Sequence, residues 1–201
     1  LLIQTFFYLL LSILCKCHLK HFFLRNVISQ NFTSVYNTID GSFMIYKDSV
    51  THTHYFRKLR GNHDDCYEQT PPEGCICIED KIYTYKGLRI MGLGGSIRYK
   101  KGINQYTQRQ MQHRVSRMWL QLKCKKGFDI LLTHSPAAGI NDGFDSVHQG
   151  FTVFNELLDT YHPAYFIHGH IHKNYQANFV REQQYNETTI INGYERYIID
   201  V

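Results

Sequence analysis

The sequence predicts an α/β fold in which helices and sheets pack in layers. Amphipathic helical segments at 105–123 and 151–162 are interleaved with short apolar runs, at 128–136 and 164–168, that are typical of buried strands. The last candidate strands follow one another directly, which favours a layered sandwich over a strictly alternating βαβ fold. At 201 residues the chain is long enough for one domain with a sizeable core.

The composition is that of an ordinary globular protein. Hydrophobic residues make up 43% of the chain and charged residues 19%, and the formal net charge is +5. The densest basic groups, at 98–101 and 123–126, are short, so we predict no specific nucleic-acid site. None of the 6 cysteines forms a CxxC pair. We therefore predict reduced thiols and a cytoplasmic location.

The N-terminal segment, residues 1–53, gives weak and mixed signals. Residues 1–14 are the most apolar run, but a membrane-spanning helix needs about 20 apolar residues. Membrane association through this run is therefore the alternative to a cytoplasmic location, and not the favoured one. The chain begins with Leu1 rather than Met, and a truncation, a misplaced start or a frameshift would explain the atypical segment. We expect the domain proper to occupy residues 54–201.

Several short strands are predicted at the start of this domain. Residues 54–59 have strand character and lead into a polar loop. Residues 75–95 predict three strands, because Ile and Tyr alternate with polar residues and turns fall at Glu79-Asp80 and Lys86-Gly87. The run GLGGS at 92–96 lacks the third glycine of a dinucleotide-binding motif, and we interpret it as a tight turn.

Two helices and the remaining strands follow. The helix at 105–123 has apolar residues at helical spacing on one side and basic residues on the other. The strand at 128–136 is apolar and ends in a His and a Pro turn. The helix at 151–162 leads through Pro163 into the strand at 164–168. The C-terminal tail predicts two or more closing strands.

Polar groups that can bind metal follow three of the predicted strands. They are GNHDD at 61–65, THSP at 133–136 and HGHIH at 168–172. The carboxyl ends of strands in one sheet face a common crevice, so these loops are expected to converge. The side chains expected to meet there are Asn62, His134, His170 and His172. Oxygen and imidazole ligands without thiolates suit Mn²⁺, Fe or Zn²⁺.

These motifs resemble those of the calcineurin-like metallophosphoesterases. The signature of that family is an ordered series: D-x-H, G-D, G-N-H-[DE], a later His, and G-H-x-H. The last three stand here in the right order, as GNHD at 61–64, His134 in THSP, and GHIH at 169–172. The resemblance covers about residues 54–201. It implies an αββα sandwich, incomplete at its N-terminus, that binds two divalent metal ions.

The resemblance also implies roles for single residues. The ligands implied for the ions are Asn62, His134 and His170 for one ion and His172 for the other. His63 matches the histidine that assists the leaving group or stabilises the transition state. Asp64 matches the acid that orients that histidine. The ions, Mn²⁺, Fe or Zn²⁺, would bind the phosphoester oxygens and generate a hydroxide nucleophile at neutral pH.

Several further residues are candidates for contact with the substrate or for support of the ligands. For His168, direct metal ligation and a supporting or packed core role are both open, and the supporting role is favoured. His148 and Asp142 lie on the loop after THSP, where contact with the substrate and ordinary loop or capping roles both remain open. Arg98 and Tyr99 follow the GLGGS turn and are candidates to line the phosphate side of the pocket.

The two N-terminal motifs of the family are missing. No D-x-H or G-D occurs in the 201 residues. The nearest substitutes are Asp40, followed by glycine instead of preceded by it, and Asp48 with His52, which are four residues apart instead of two. The G-D aspartate bridges both ions in the family. We therefore expect the dinuclear site of this chain to be impaired.

Two functions from different classes follow. The leading prediction is metal-dependent hydrolysis of a small phosphoester, a phosphodiester or a phosphomonoester. The alternative is a catalytically inactive scaffold or binding protein with the same fold, which the missing motifs favour. A zinc-stabilised or nucleic-acid-binding protein is not favoured, because there is no Cys/His cluster at finger spacing. The sequence does not predict an oligomeric state.

Overall fold

The structure is a computed structural model. It describes the ranges 33–38, 41–47, 54–62, 75–85, 87–173, 179–194 and 197–199. The predictions made for residues 1–14, His63 and Asp64 lie outside these ranges.

One sheet contains the first strands of the described chain and the last one. Its members are β1 (Thr33–Thr38), β2 (Gly41–Lys47), β3 (His54–Arg60), β4 (Cys75–Cys77) and β13 (Tyr197–Ile199). Their order is β13-β1-β2-β3-β4. β2 pairs with β3 antiparallel from Gly41 opposite Arg60 to Lys47 opposite His54. The domain boundary predicted after residue 53 thus falls between two paired strands.

A second sheet forms the centre of the molecule. Its six strands are β5 (Lys81–Tyr85), β6 (Leu88–Leu93), β9 (Ile130–Thr133), β10 (Tyr165–His168), β11 (Glu182–Tyr185) and β12 (Thr188–Asn192), in the order β11-β12-β10-β9-β6-β5. The four inner strands β6, β9, β10 and β12 run parallel. The short strands β7 (Ser96–Ile97) and β8 (Gln105–Tyr106) pair separately. Because β9 and β10 are parallel neighbours, the loops that leave them start at the same edge of the sheet.

The predicted helix at 105–123 is two helices in the structure. They are α1 (Gln108–Arg117) and α2 (Trp119–Lys125). α1 begins late because Thr107 caps it in a capping box with Gln110, while the two residues before Thr107 form β8. At the junction, the Met118 N–H bonds to the Val115 carbonyl at 2.9 Å, a tight turn of i→i−3 spacing. The helix predicted at 151–162 is confirmed as α3 (Thr152–Tyr161).

Two apolar clusters hold the layers together. The larger lies between the helices and the central sheet and includes Leu131, Phe154 and Phe166. The smaller lies between the two sheets and consists of Leu59, Ile78, Ile90, Ile130, Leu132, Ile167 and Ile191. β9 contributes to both clusters, because successive residues of a strand face opposite sides of the sheet. Leu131 belongs to the larger cluster, and its neighbours Ile130 and Leu132 belong to the smaller one.

These layers confirm the predicted α/β sandwich. Among the described residues, the order is a helical layer, the six-stranded sheet and the five-stranded sheet. None of the described helices combines the length and the apolar content needed to cross a bilayer.

Candidate metal centre

Three loops that follow strands come together where the two sheets meet. Gly61 and Asn62 follow β3, His134 follows β9, and Gly169 and His170 follow β10. The Gly169 N–H donates to the His134 carbonyl at 2.9 Å, which ties the second loop to the third. The centre therefore takes one loop from the five-stranded sheet and two from the six-stranded sheet, whereas the motif positions predicted that all three would follow strands of one sheet.

Asn62 and His134 are in direct contact. The Nε2 atom of His134 lies 2.9 Å from Oδ1 of Asn62. Both residues are buried, with exposed fractions of 5% and 1%. Two ligand atoms that each lie about 2.1 Å from one metal ion, at a right angle, are about 3 Å apart. As it stands the contact is a hydrogen bond, which the ring N–H of His134 donates to the amide oxygen of Asn62. The separation also fits two ligand atoms of one ion once that nitrogen has lost its proton.

His170 is the third member of this cluster. Its ring centroid lies 5.1 Å from that of His134, and its exposed fraction is 7%. Its Nε2 atom lies 3.0 Å from the Val147 carbonyl oxygen. Because a carbonyl oxygen can only accept, this contact places the ring proton on Nε2 and the lone pair on Nδ1. Histidines that bind metals characteristically donate their other N–H in this way.

The backbone at His170 has a conformation that side chains rarely adopt. Its φ angle is +65°, and the Ile171 N–H donates to the Gly169 carbonyl at 2.7 Å. Together these describe a three-residue turn centred on His170, and such turns with positive φ are rare and strained. Strained residues cost about 1–3 kcal/mol each and cluster at functional sites. The strain therefore supports a functional role for His170.

His172, predicted as a ligand of the other ion, lies against an aromatic ring. Its imidazole stacks on Tyr194, with ring centroids 4.6 Å apart. In the parts of the chain that the structure describes, no group of three or more His, Cys, Asp or Glu side chains could hold a metal ion. The cluster of Asn62, His134 and His170 contains only two side chains of those four types, because its third member is an amide.

His168 is a buried, neutral support for the loop that carries His170. It is 0% exposed, and its ring packs on Phe166 at 5.4 Å between centroids. Its Nδ1 donates to the Gly169 carbonyl at 3.1 Å, and its Nε2 accepts from the Asn141 amide at 3.3 Å. Burial lowers the pKa of His168 from 6.5 to about 4. Both ring nitrogens thus have protein partners, which is the arrangement of a packed, supporting histidine.

The loop between β9 and α3 places His148 beside the centre. The His148 ring lies 5.2 Å from that of His170, and its side chain is 18% exposed. Asp145 holds it in place, with Oδ2 2.8 Å from Nδ1. The backbone N–H groups of Val147 and His148 also donate to Asp145, each at 2.8 Å. The hydrogen bond from His148 lowers the pKa of Asp145 below its ordinary value.

Asp142 and Arg98 have structural contacts in the described structure. Asp142 accepts the Gly150 N–H at 3.0 Å, which closes the loop that carries His148. Arg98 is exposed and reaches the Gln105 carbonyl at 3.4 Å. These contacts correspond to the loop role that the sequence left open for Asp142. Contact of either residue with the substrate stays a prediction.

The chain also matches a known protein family. The profile of the calcineurin-like phosphoesterase family matches residues 42–174, which is more than half of the chain. The chain belongs to the calcineurin-like phosphoesterases. The match begins within β2, so the family region extends further towards the N-terminus than residues 54–201, the range over which the sequence motifs showed the resemblance.

A solved structure supports the same fold. One crystal structure aligns with a TM-score of 0.51 at 17% identity, over 72% of this chain and 61% of that chain. The crystal structure of TT1561 of Thermus thermophilus aligns with a TM-score of 0.41 at 14% identity, over 64% of this chain and 53% of that chain. This chain thus spans less than two thirds of either one. No curated protein sequence matches it.

Calcineurin-like phosphoesterases hydrolyse phosphoesters with divalent metals, and the donor set of this member fits that chemistry. Asn62 offers a neutral oxygen, and His134 and His170 offer imidazole nitrogens. Such ligands suit Mn²⁺, Fe or Zn²⁺. Neither the hydrogen bond to Val147 nor Asp145 was predicted from the sequence. The spacing D-x-x-H at 145–148 was the signal that could have indicated Asp145.

Tyr99 fixes the orientation of the Asn62 amide in this calcineurin-like phosphoesterase. The Nδ2 group of Asn62 donates to the Tyr99 hydroxyl at 3.1 Å, so Oδ1 turns towards His134. Only the oxygen of an amide can bind a cation, and the hydroxyl contact therefore selects the productive orientation. The sequence placed Tyr99 near the phosphate side of the pocket and did not predict this contact.

The variant Tyr99→Phe is expected to weaken Mn²⁺ binding by about tenfold, because it removes this contact and keeps the ring. Calorimetric titration of the purified protein with Mn²⁺ measures the change. Tyr185→Phe is the matched control. It removes a hydroxyl that bonds to Asp159 at 3.0 Å, beside the amino end of β12 and away from the centre. Unchanged Mn²⁺ affinity in Tyr99→Phe would contradict the orienting role.

Proposed function

We propose that this chain is a metal-dependent phosphoesterase acting on a small phosphoester, with one ion held by Asn62, His134 and His170. The observation that carries the proposal is the buried contact of 2.9 Å between Asn62 and His134, with the His170 ring 5.1 Å from that of His134. Three uncharged donors from three loops meet in a buried site. A divalent cation is the ligand that such a donor set recognises.

The residues around the ion would each have a distinct task. When bound, metal ions polarise phosphoryl oxygens and supply a nucleophilic water at neutral pH. Asn62 would bind as a neutral ligand and so would leave more positive charge for an anionic substrate than a carboxylate would. Val147 holds the His170 ring through its carbonyl. His148, oriented by Asp145, borders the centre, where it can contact a phosphoryl oxygen or the leaving group.

The roles of His63, Asp64 and His172 remain part of the proposal. His63 would protonate the leaving group, oriented by Asp64, and His172 would bind the second ion. The 201 residues contain no D-x-H or G-D. We therefore propose that the second ion is held weakly and that turnover depends on Mn²⁺ in excess over the protein.

The proposal is tested by purifying the protein, measuring bound Mn, Fe and Zn, and assaying a chromogenic phosphodiester and a phosphomonoester. Turnover is expected to rise with added Mn²⁺ and to be lost after treatment with a chelator. The variant His134→Ala is also expected to lose turnover. His113→Ala, which changes an exposed histidine of α1, is the matched control. Wild-type protein that binds no Mn²⁺ would contradict the proposal.

The inactive scaffold is retained as a second candidate because of one observation, the missing D-x-H and G-D motifs. The same assay separates the two functions. Mn²⁺ binding with no turnover on either substrate, at any Mn²⁺ concentration, would favour the scaffold.

A further inference from the structure

Glu79 is a buried carboxylate that the proposed chemistry does not use. Its side chain is 3% exposed, although it directly follows β4 and Ile78 in a segment that the sequence predicted as a turn. Its neighbour Asp80 is the exposed, positive-φ residue of that turn, with φ +55°. A carboxylate is rarely buried unless it is paired, and Glu79 is paired twice.

Each carboxylate oxygen of Glu79 binds a different arginine. Oε2 accepts from Nε of Arg60, the last residue of β3. Oε1 accepts from Arg114 of α1 at 3.0 Å. One buried charge therefore connects the helical layer to the end of a strand in the five-stranded sheet.

Arg114 is itself held on several sides. It donates to the Gly94 carbonyl at 2.8 Å and to Asp80 at 2.8 Å, and its guanidinium lies 4.3 Å from the centre of the Tyr106 ring. Its side chain is 10% exposed. A guanidinium with this many fixed partners can set the position of the carboxylate that it binds.

The backbone of Arg60 is fixed at the same place. Its carbonyl accepts the Gly95 N–H at 2.8 Å. A Cβ atom on Gly94 would lie 2.5 Å from that carbonyl and 2.8 Å from Oε1 of Glu79, so the segments are in close contact. Arg60 is followed by Gly61 and then by Asn62, the candidate ligand. The direction in which the chain leaves β3 is thus set two residues before Asn62.

We propose that Glu79 is a positioning residue for the metal centre, which acts by clamping Arg60 against Arg114 and so fixing the loop that presents Asn62. As a statement about the metal centre, this inference rests on the proposed function. Without the carboxylate, two arginines would face each other in a largely buried place, and Arg60 would move away. Asn62 would then lose the position that brings its Oδ1 to 2.9 Å from His134.

The test compares Glu79→Gln with Asp80→Asn. Glu79→Gln keeps the shape and removes the charge. Asp80→Asn is the control, because Asp80 also binds Arg114, is 47% exposed and carries none of the contacts described for Arg60. Hydrogen exchange of the peptide spanning residues 59–62 is measured without metal, and Mn²⁺ affinity is measured by calorimetry well below the unfolding temperature.

Faster exchange at residues 59–62 and a loss of about 10- to 100-fold in Mn²⁺ affinity are expected for Glu79→Gln and not for Asp80→Asn. Saturating Mn²⁺ is expected to restore kcat, which a general loss of structure would not allow. If Glu79→Gln does not fold, Arg60→Lys replaces it, since Lys keeps the charge and lacks the planar donors.

Two results would overturn different statements. A lower melting temperature in Glu79→Gln, with exchange at 59–62 and Mn²⁺ affinity both as in wild type, would overturn the positioning role. Wild-type protein that binds no Mn²⁺ would overturn the proposed function. In that case the exchange measurement still decides whether Glu79 fixes the loop.

Discussion

The variant His170→Asn is expected to weaken Mn²⁺ binding by more than about 100-fold. Removal of a ligand lowers metal affinity more than removal of a residue that only supports a ligand, which typically lowers it by about 10- to 100-fold. Turnover at equimolar Mn²⁺ is expected to be lost with it. Asparagine tolerates positive φ, so it suits the turn at His170, where φ is +65°. The substitution therefore removes the imidazole and leaves the backbone conformation accessible.

The measurement is Mn²⁺ titration together with thermal unfolding in the absence of metal. The matched control is His113→Asn, which makes the same change at an exposed position of α1. His113→Asn is expected to bind Mn²⁺ like the wild type. If His170→Asn retained wild-type affinity, His170 could not be a ligand. If His170→Asn unfolded without metal, the contacts of His170 with His134, His148 and Val147 would serve mainly to stabilise the fold.

The variant Phe154→Ala is expected to lower the free energy of unfolding by about 3–5 kcal/mol. Phe154 is 0% exposed and belongs to α3. Its ring meets Phe151 edge-on at 5.2 Å and Phe166 of β10 at 6.2 Å between centroids. Its removal leaves a cavity between α3 and β10. The cavity borders Phe166, which also packs on His168 at the end of β10.

Denaturant unfolding measures this loss, and thermal unfolding should show a fall in melting temperature of about 6–20 °C for a chain of this size. Trp119→Ala is the control, because Trp119 is 60% exposed on α2. It is expected to change stability by no more than about 0.5 kcal/mol. A loss below about 1 kcal/mol in Phe154→Ala would mean that the core can collapse around the missing ring.

Much of the candidate site could be predicted because His134 and His170 follow strands that are largely buried. The apolar run before His134 and the one before His168 each predicted a strand, and the structure confirms them as β9 and β10. Parallel neighbours bring the residues after them to the same edge. The strands β1 and β2 were not predicted, because the first 53 residues show no clear alternation of apolar and polar residues.

The contacts that hold the ligands could not be predicted. Tyr99 meets Asn62 across 37 residues, and Glu79 meets Arg114 across 35. Such pairs follow from how the layers dock, and no local pattern records them. Glu79 in particular was interpreted as a turn residue, because a glutamate beside Asp80 has the composition of a turn. Its burial depends on two arginines from other elements, Arg60 and Arg114, which neutralise its charge.

The position of the candidate metal centre across two sheets has a consequence for folding. Asn62 and His134 are 72 residues apart, and they meet when the five-stranded sheet docks on the six-stranded one. In a chain whose sheets are not docked, these two residues lie on separate segments and cannot bind the same ion. An ion that binds only when the sheets are docked would stabilise the native chain and not the unfolded one. At an ion concentration about 100 times its Kd, this linkage is worth about 2.7 kcal/mol, so the protein's resistance to heat would follow the supply of the ion.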